Sequence, residues 1–166
     1  MSAATDLLQT RIVEMLPKLR RFARALARQP QDADDLVQLA IERALRALDQ
    51  WQADTRLDSW LYGILRNAWI DELRARGRRA RVFDPAAEIE SVPDRGAGDP
   101  SGVVAIEQAL ERLPEEQRLA VALVLIEGLP YKEAAQIIGI PIGTLTSRLA
   151  RGRAALQELL EPGDAA

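Results

Sequence analysis

Toward the end of the 166-residue chain, Thr144, Ser147, Arg148 and Arg151 recur at i, i+3, i+4 and i+7. On a helix that spacing projects all four side chains the same way. Arginine can pair bidentately with guanine, and Ser and Thr hydroxyls reach phosphates or base edges, so the pattern suits the reading of duplex DNA. No acidic residue stands between Glu133 and Glu158, and Arg153 adds a further cation to this stretch. A plain helical hairpin with a solvated arginine face is the alternative, but it would not need an acid-free run.

A second basic concentration holds Arg74, Arg76, Arg78, Arg79 and Arg81, five arginines in eight positions. At a helix end they are favoured by the dipole and make a phosphate-binding patch. Upstream, Trp51, Trp60, Tyr62 and Trp69 put four of the seven aromatics within nineteen residues. Aromatics beside arginines supply the stacking and backbone neutralisation that single-stranded nucleic acid needs. Trp60 and Trp69 are expected in or near the core, and Trp51, in a polar connector, is expected to be exposed. A third group, Asp32, Asp34, Asp35 and Glu42, bears on metal chemistry, because Asp35 and Glu42 are seven apart and can share a face for Mg²⁺. The chain has no His and no Cys. That removes the usual proton shuttle, the commonest transition-metal ligands, thiolate nucleophiles and disulfides. Most hydrolytic triads are thereby excluded, and no catalytic residue, cofactor or metal site is expected.

The elements that must carry these residues read as helices throughout. Leu8, Ile12, Met15, Leu16 and Leu19, then Phe22, Ala23 and Leu26, recur at three- and four-residue spacing. Pro17 suits the first turn of a second helix, where its missing N–H costs nothing. Asp32 to Leu48 predicts another helix, and Asp58 to Arg76 a further one behind the connector at 49–56, with Asp58 or Ser59 available as its cap. In the second half, Val103 to Leu113 and Glu115 to Glu127 predict helices broken at Pro114. Pro130 then opens a short helix ended by Gly139, and Gly143 and Thr144 open a last one with Leu145, Leu149, Leu156 and Leu160 on its apolar face. A small-residue helix, a glycine turn and a second helix with a polar face are the sequence form of a helix-turn-helix. No stretch reads as a strand, so the fold class expected is all-α.

The net charge of −3 conceals a segregated pattern. Residues 1–83 carry 15 basic against 11 acidic side chains, 84–100 one against five, and 101–166 six against nine. The middle segment also gathers Pro85, Pro93, Gly96, Gly98 and Pro100, with Gly102 just after it, a composition suited to a solvated linker. The expected organisation is a basic helical module over 1–82, a flexible acidic linker over 83–101 through which a protease should cut, and a helix-turn-helix module over 102–166. No apolar run is long enough to span a bilayer at roughly 20 residues, and Met1 to Leu8 lacks the form of a signal peptide. A cytoplasmic protein without membrane insertion is expected.

Asp34-Asp35-Leu36-Val37-Gln38, Trp60-Leu61-Tyr62 with Arg66-Asn67, and Ile70-Asp71-Glu72-Leu73-Arg74 resemble region 2 of extracytoplasmic-function (ECF) sigma factors. Leu113-Pro114-Glu115-Glu116-Gln117-Arg118, Glu127-Gly128-Leu129-Pro130-Tyr131-Lys132-Glu133-Ala134-Ala135, and Gly143-Thr144 with Ser147-Arg148-Leu149 resemble region 4. The run from Asp35 to Asn67 is similar to the general-stress members of that family. The resemblance implies a dissociable subunit of bacterial core RNA polymerase, a monomer when active, that directs initiation at particular promoters and leaves catalysis to its partner. It makes Asp34, Asp35 and Gln38 contacts to the polymerase clamp. It assigns Trp51, Asp54, Thr55, Tyr62, Arg66 and Asn67 to capture of the −10 element, with Arg74, Arg76, Arg78 and Arg79 on nearby phosphates. It assigns Thr144, Thr146, Ser147, Arg148, Arg151 and Arg153 to the −35 element of promoter DNA. An anti-sigma protein wedged between the modules is the implied regulator, and the acidic linker would run through the RNA exit path. Two departures stand out: Leu39 replaces an acidic residue after the Asp-Leu-Val-Gln run, and Thr146 replaces a basic residue before Ser147-Arg148.

Two other readings compete. A dimeric helix-turn-helix regulator would explain Leu129 to Leu160 but leaves Asp34 to Arg79 without a role. A helical phosphohydrolase would use Asp32, Asp34, Asp35 and Glu42 on a hard metal but lacks any phosphate-cradling loop.

Overall fold

The structure, a computed structural model, describes residues 2–83 and 102–161. The linker expected over 83–101 lies outside the described residues apart from its first position. Eight α-helices follow one another and no strand occurs among the described residues: α1 (Ala3–Glu14), α2 (Leu16–Leu26), α3 (Pro30–Arg46), α4 (Leu57–Phe83), α5 (Gly102–Glu111), α6 (Glu115–Val121), α7 (Tyr131–Ile138) and α8 (Ile142–Leu160). A 3-10 turn, Leu48–Gln50, follows α3, and a π-helical turn, Ala122–Ile126, continues α6.

Local chemistry sets most boundaries. Ser2 caps α1 by accepting the Thr5 N–H, and Pro17 and Pro30 sit in the first turns of α2 and α3, where no donor is lost. Gly139 takes a left-handed conformation at φ +79°, closes α7 through its N–H to the Ala135 carbonyl at 2.8 Å, and makes the turn of the helix-turn-helix. α4 runs to Phe83, past the expected end at Arg76. Glu72 pairs with Arg76 at 3.0 Å and with Arg79 at 3.3 Å, which carries the helix through Gly77. The arginines therefore lie within the last turns of a long helix.

In the first module α2, α3 and α4 pack face to face. Leu19, Phe22, Ala23 and Leu26 meet Leu36, Val37, Ala40 and Ala44, and both rows meet Leu61, Leu65 and Ala68. Phe22 and Tyr62 stack edge to face with centroids 5.3 Å apart, worth about 0.5–1.5 kcal/mol beyond the area they bury. In the second module α6 and α8 approach closely because position 152 is glycine. A Cβ there would stand 2.8 Å from Val121 Cγ2 and 3.3 Å from the Gln117 carbonyl oxygen. Burial along α8 falls away after Leu156, so Leu160, expected on the apolar face, is exposed. The helix outruns α5, α6 and α7, its packing partners.

The two modules do not stand apart. α2 packs against α5, α6 and the π-turn, and α4 against α7, so the buried residues of both halves join in one hydrophobic cluster.

Candidate nucleic-acid interface and the junction between the modules

α8 presents the expected polar face. Leu145, Leu149 and Gly152 turn inward, which leaves Thr146, Ser147, Arg151 and Arg153 exposed and Thr144 and Arg148 half-buried. Thr146 Oγ1 donates to the Ile142 carbonyl at 2.9 Å and Ser147 Oγ to the Gly143 carbonyl at 3.1 Å. Each hydroxyl has spent its proton on the helix and can only accept from a ligand. Arg148 reaches back to Glu116 on α6 at 3.6 Å, while Arg151 projects into solvent from the next turn. Pro141 precedes the helix without a side-chain cap, so no side chain at that position occupies the first backbone donors of α8. This arrangement can bind a phosphate backbone and offer arginine forks to base edges.

The polar residues of the first module divide into two sets. Asn67, Arg74 and Arg78 recur along one exposed face of α4 at helical spacing. Arg76 sits over the Trp69 ring at 5.9 Å and also pairs with Asp32 at 3.0 Å, so part of its charge is already balanced, as is that of Arg79 by Glu72. Arg66 is half-buried, donating Nη1 to Asn67 Oδ1 at 3.1 Å. In the connector, Asp54 and Thr55 are exposed, but Trp51, expected to be exposed, is half-buried against the core, with Nε1 donating to the Thr55 carbonyl at 3.2 Å. Tyr62 stands apart from all of these. It is 2 % exposed, beneath the second module.

Asp34, Asp35 and Gln38 are all exposed on α3, but they do not share one depression. Asp34 and Gln38 border a groove shared with Arg20 and Arg24 of α2, whereas Asp35 borders one shared with Trp69 and Arg76 of α4. Asp32 is engaged with Arg76, and among the described residues no three carboxylates converge where they could hold a metal ion. The hard-metal constellation is therefore not assembled.

The junction holds a set of side chains that sequence reasoning missed. The Glu127 side chain is completely buried and accepts from Arg21 Nε at 2.9 Å, Arg21 Nη2 at 2.7 Å and Tyr62 Oη at 2.7 Å. Burial and the Glu127 carboxylate push the Tyr62 phenol far above its ordinary range, so it remains a donor. Glu133 accepts from Arg56 at 3.2 Å and from Ser59 Oγ at 3.2 Å, and Glu115 accepts from Trp69 Nε1. Arg118, 3 % exposed, donates to the Leu26 carbonyl across the junction, and burial lowers its pKa from the usual guanidinium value. Nothing local marked these partners, which lie 46 to 106 positions apart. Beside the junction, an open groove between α2 and α5 has an apolar floor at Val103, Ile106 and Leu110 under Arg20, Arg21 and Arg24.

Comparison with known proteins agrees with this architecture. Residues 12–79 match the family model for sigma-70 region 2 and residues 104–156 that for sigma-70 region 4. The chain is 38 % identical over 158 residues to the ECF RNA polymerase sigma factor EcfG of Rhodopseudomonas palustris, covering 94 % of this chain and 86 % of that one. It is 38 % identical over 143 residues to the ECF RNA polymerase sigma factor SigM of Mycobacterium tuberculosis, covering 86 % and 71 %. Among solved structures, the sigma factor RpoE in complex with the anti-sigma factor NepR from Bartonella quintana superposes with a TM-score of 0.81 at 34 % identity, over 92 % of this chain and 95 % of that one. Among the described residues no helix is long and apolar enough to cross a membrane. A region 2 module carrying the Asp-Asp-Leu-Val-Gln helix, followed by a region 4 helix-turn-helix, places the chain in the ECF family of RNA polymerase sigma factors, and its activity is promoter-specific transcription initiation.

Proposed function

We propose that residues 1–82 dock on core RNA polymerase through Asp34, Asp35 and Gln38 and capture the −10 element through Trp51, Asp54, Thr55, Tyr62, Arg66 and Asn67. Arg74, Arg76, Arg78 and Arg79 neutralise the adjoining phosphates. Residues 102–166 read the −35 element with Thr144, Thr146, Ser147, Arg148, Arg151 and Arg153, and 83–101 link the two. The observation that carries this reading is the uncovered, acid-free face of α8 in a helix-turn-helix. The exposure of Asp34, Asp35 and Gln38 on one helix supports a protein-binding role for α3. The protein acts as a cytoplasmic monomer without catalysis of its own. A dimeric regulator is disfavoured, because it gives the first module nothing to do.

An anti-sigma factor is the proposed regulator. The docked arrangement resembles that of the Bartonella quintana sigma factor solved with one. The α2/α5 groove, apolar below and lined by three arginines above, suits an amphipathic helix with acidic residues along one edge.

Core-polymerase binding tests the clamp assignment. Asp35→Arg should abolish co-purification with core polymerase while leaving the helical circular dichroism unchanged. Undiminished binding would refute it.

A further inference from the structure

α4 carries two glycines in its interior, Gly63 and Gly77. Glycine weakens a helix interior relative to alanine, so such a position calls for a reason. Elsewhere the reasons are visible. Gly128 and Gly139 adopt left-handed conformations at φ +70° and +79°, and Gly152 admits the close approach of Val121 and the Gln117 carbonyl. Gly63 has neither a positive φ nor a close neighbour: a Cβ there would meet no atom of the described residues within 4 Å. α7 packs against α4, yet it does not come near enough to require a glycine. Among the described residues, then, nothing inside the fold uses the missing side chain.

The surroundings of Gly63 suit a nucleobase. Its helical neighbours at three and four residues are Ser59, Trp60, Arg66 and Asn67, so the bare position is a notch between them. Gly63 falls within about 40° of Asn67 around the helix axis, and exposed Arg74 and Arg78 continue the same row. Trp60 is half-buried and packed on the core, which steadies its ring. Arg66 Nη1 donates to Asn67 Oδ1 at 3.1 Å, so the Asn67 Nδ2 hydrogens are the donors open to a ligand. A planar group entering the notch meets bare backbone beneath it, an aromatic ring one turn before it and amide donors one turn after it. A phosphate at this point would call for a cation at position 63, whereas room without charge suits a base.

We propose that Gly63 is a specificity-determining residue for the −10 element: the notch it leaves admits one base of the captured strand, whose acceptor edge the Asn67 amide reads. This rests on the assignment of Asn67 and its face of α4 to that element. Any side chain at position 63 fills space the base needs. Gly77 provides the comparison, because it is exposed and has no amide or aromatic residue three or four positions away.

The test is transcription by core polymerase with each variant on a promoter library randomised at both elements. Melting temperature and core-polymerase affinity are measured beside it. Gly63→Ala should raise the melting temperature by about 2–4 °C, since the helix gains and nothing clashes. Core affinity should match that of the unsubstituted protein. Transcription from the preferred sequence should nevertheless fall about tenfold, with selection lost at one −10 position and kept at −35. Gly63→Leu should lower it further. Gly77→Ala should bring a similar thermal gain with −10 selection unaltered. Unchanged selection and activity in Gly63→Ala would overturn the notch and leave the −10 assignment standing. So would a lower melting temperature, which would give the glycine a structural reason, or a loss of activity matched by weaker core binding or shared by Gly77→Ala. An unsubstituted protein indifferent to the −10 sequence would overturn the −10 assignment and the notch together. If Gly63→Leu loses its helical circular dichroism, Gly63→Ala decides alone.

Discussion

Arg118 Nη1 donates to the backbone carbonyl of Leu26, 2.9 Å away and 92 positions earlier in the chain. Nη2 of the same guanidinium reaches the Leu113 carbonyl at 3.0 Å and the Glu111 carbonyl at 3.5 Å. One buried cation thus satisfies carbonyls at the C-terminal ends of α2 and α5, where the helix dipoles favour positive charge. Arg118→Met should lower stability by about 2–4 kcal/mol, since it leaves those carbonyls without donors in a buried site. Arg118→Lys should recover only part of the loss, because an ammonium cannot fork between two helix ends. Urea denaturation of the three proteins gives the comparison.

Gly152→Ala tests the close approach of α6 and α8. Alanine favours a helix over glycine by about 1 kcal/mol, but its Cβ would meet Val121 Cγ2 at 2.8 Å. Overpacking of that kind costs about 1–3 kcal/mol, so a net loss of stability is expected. Val121→Ala removes the obstructing methyl and should make Gly152→Ala less harmful in the double variant than alone. Additive effects in a double-mutant cycle would contradict the packing explanation.

Tyr62 gives a pH dependence with a definite sign. Its folded-state pKa is raised from 10.0, by burial first and by the bond to Glu127 second. The folded protein therefore holds the phenolic proton where the unfolded chain releases it. The associated stability is complete below about pH 10 and is lost as the pH climbs above it. Tyr62→Phe should cost about 1 kcal/mol near neutral pH through the missing hydrogen bond, and its stability should fall less steeply in the alkaline range. Parallel alkaline denaturation profiles for the two proteins would contradict this.

Much of the fold was legible because its signals are local. Pro17, Pro114 and Gly139 stand at or beside helix boundaries, and the spacing of Leu145 and Leu149 gave the inward face of α8 directly. The junction was not legible. Arg21, Arg56 and Glu127 look like ordinary surface charges in sequence, and only the folded chain puts partners beside them. The π-turn has no sequence signature, so the helix expected from Glu115 to Glu127 carried no sign of it. Gly152 did leave a signal: it follows Leu145 and Leu149 on the same helical face, where a missing side chain points to a close neighbour. Leu160 was misread because periodicity continues after packing partners run out.

Within the proposed −35 surface, Arg148 differs from Arg151 in being held by Glu116 at 3.6 Å. Glu116→Gln should release it and steepen the salt dependence of promoter binding, as one more cation becomes available to phosphates. An unchanged salt slope would mean that the pair does not restrain Arg148.

The most direct measurement is in vitro transcription by core polymerase with this protein on a promoter library randomised at both elements, read out by sequencing the transcripts. The expected result is enrichment at −10 and −35 together. Arg148→Ala should relax selection at one or two −35 positions by about 1–3 kcal/mol and leave the −10 preference intact. Transcripts with no preference at −35, or a preference unaffected by Arg148→Ala and Arg151→Ala, would contradict the assignment of α8 as the reading helix.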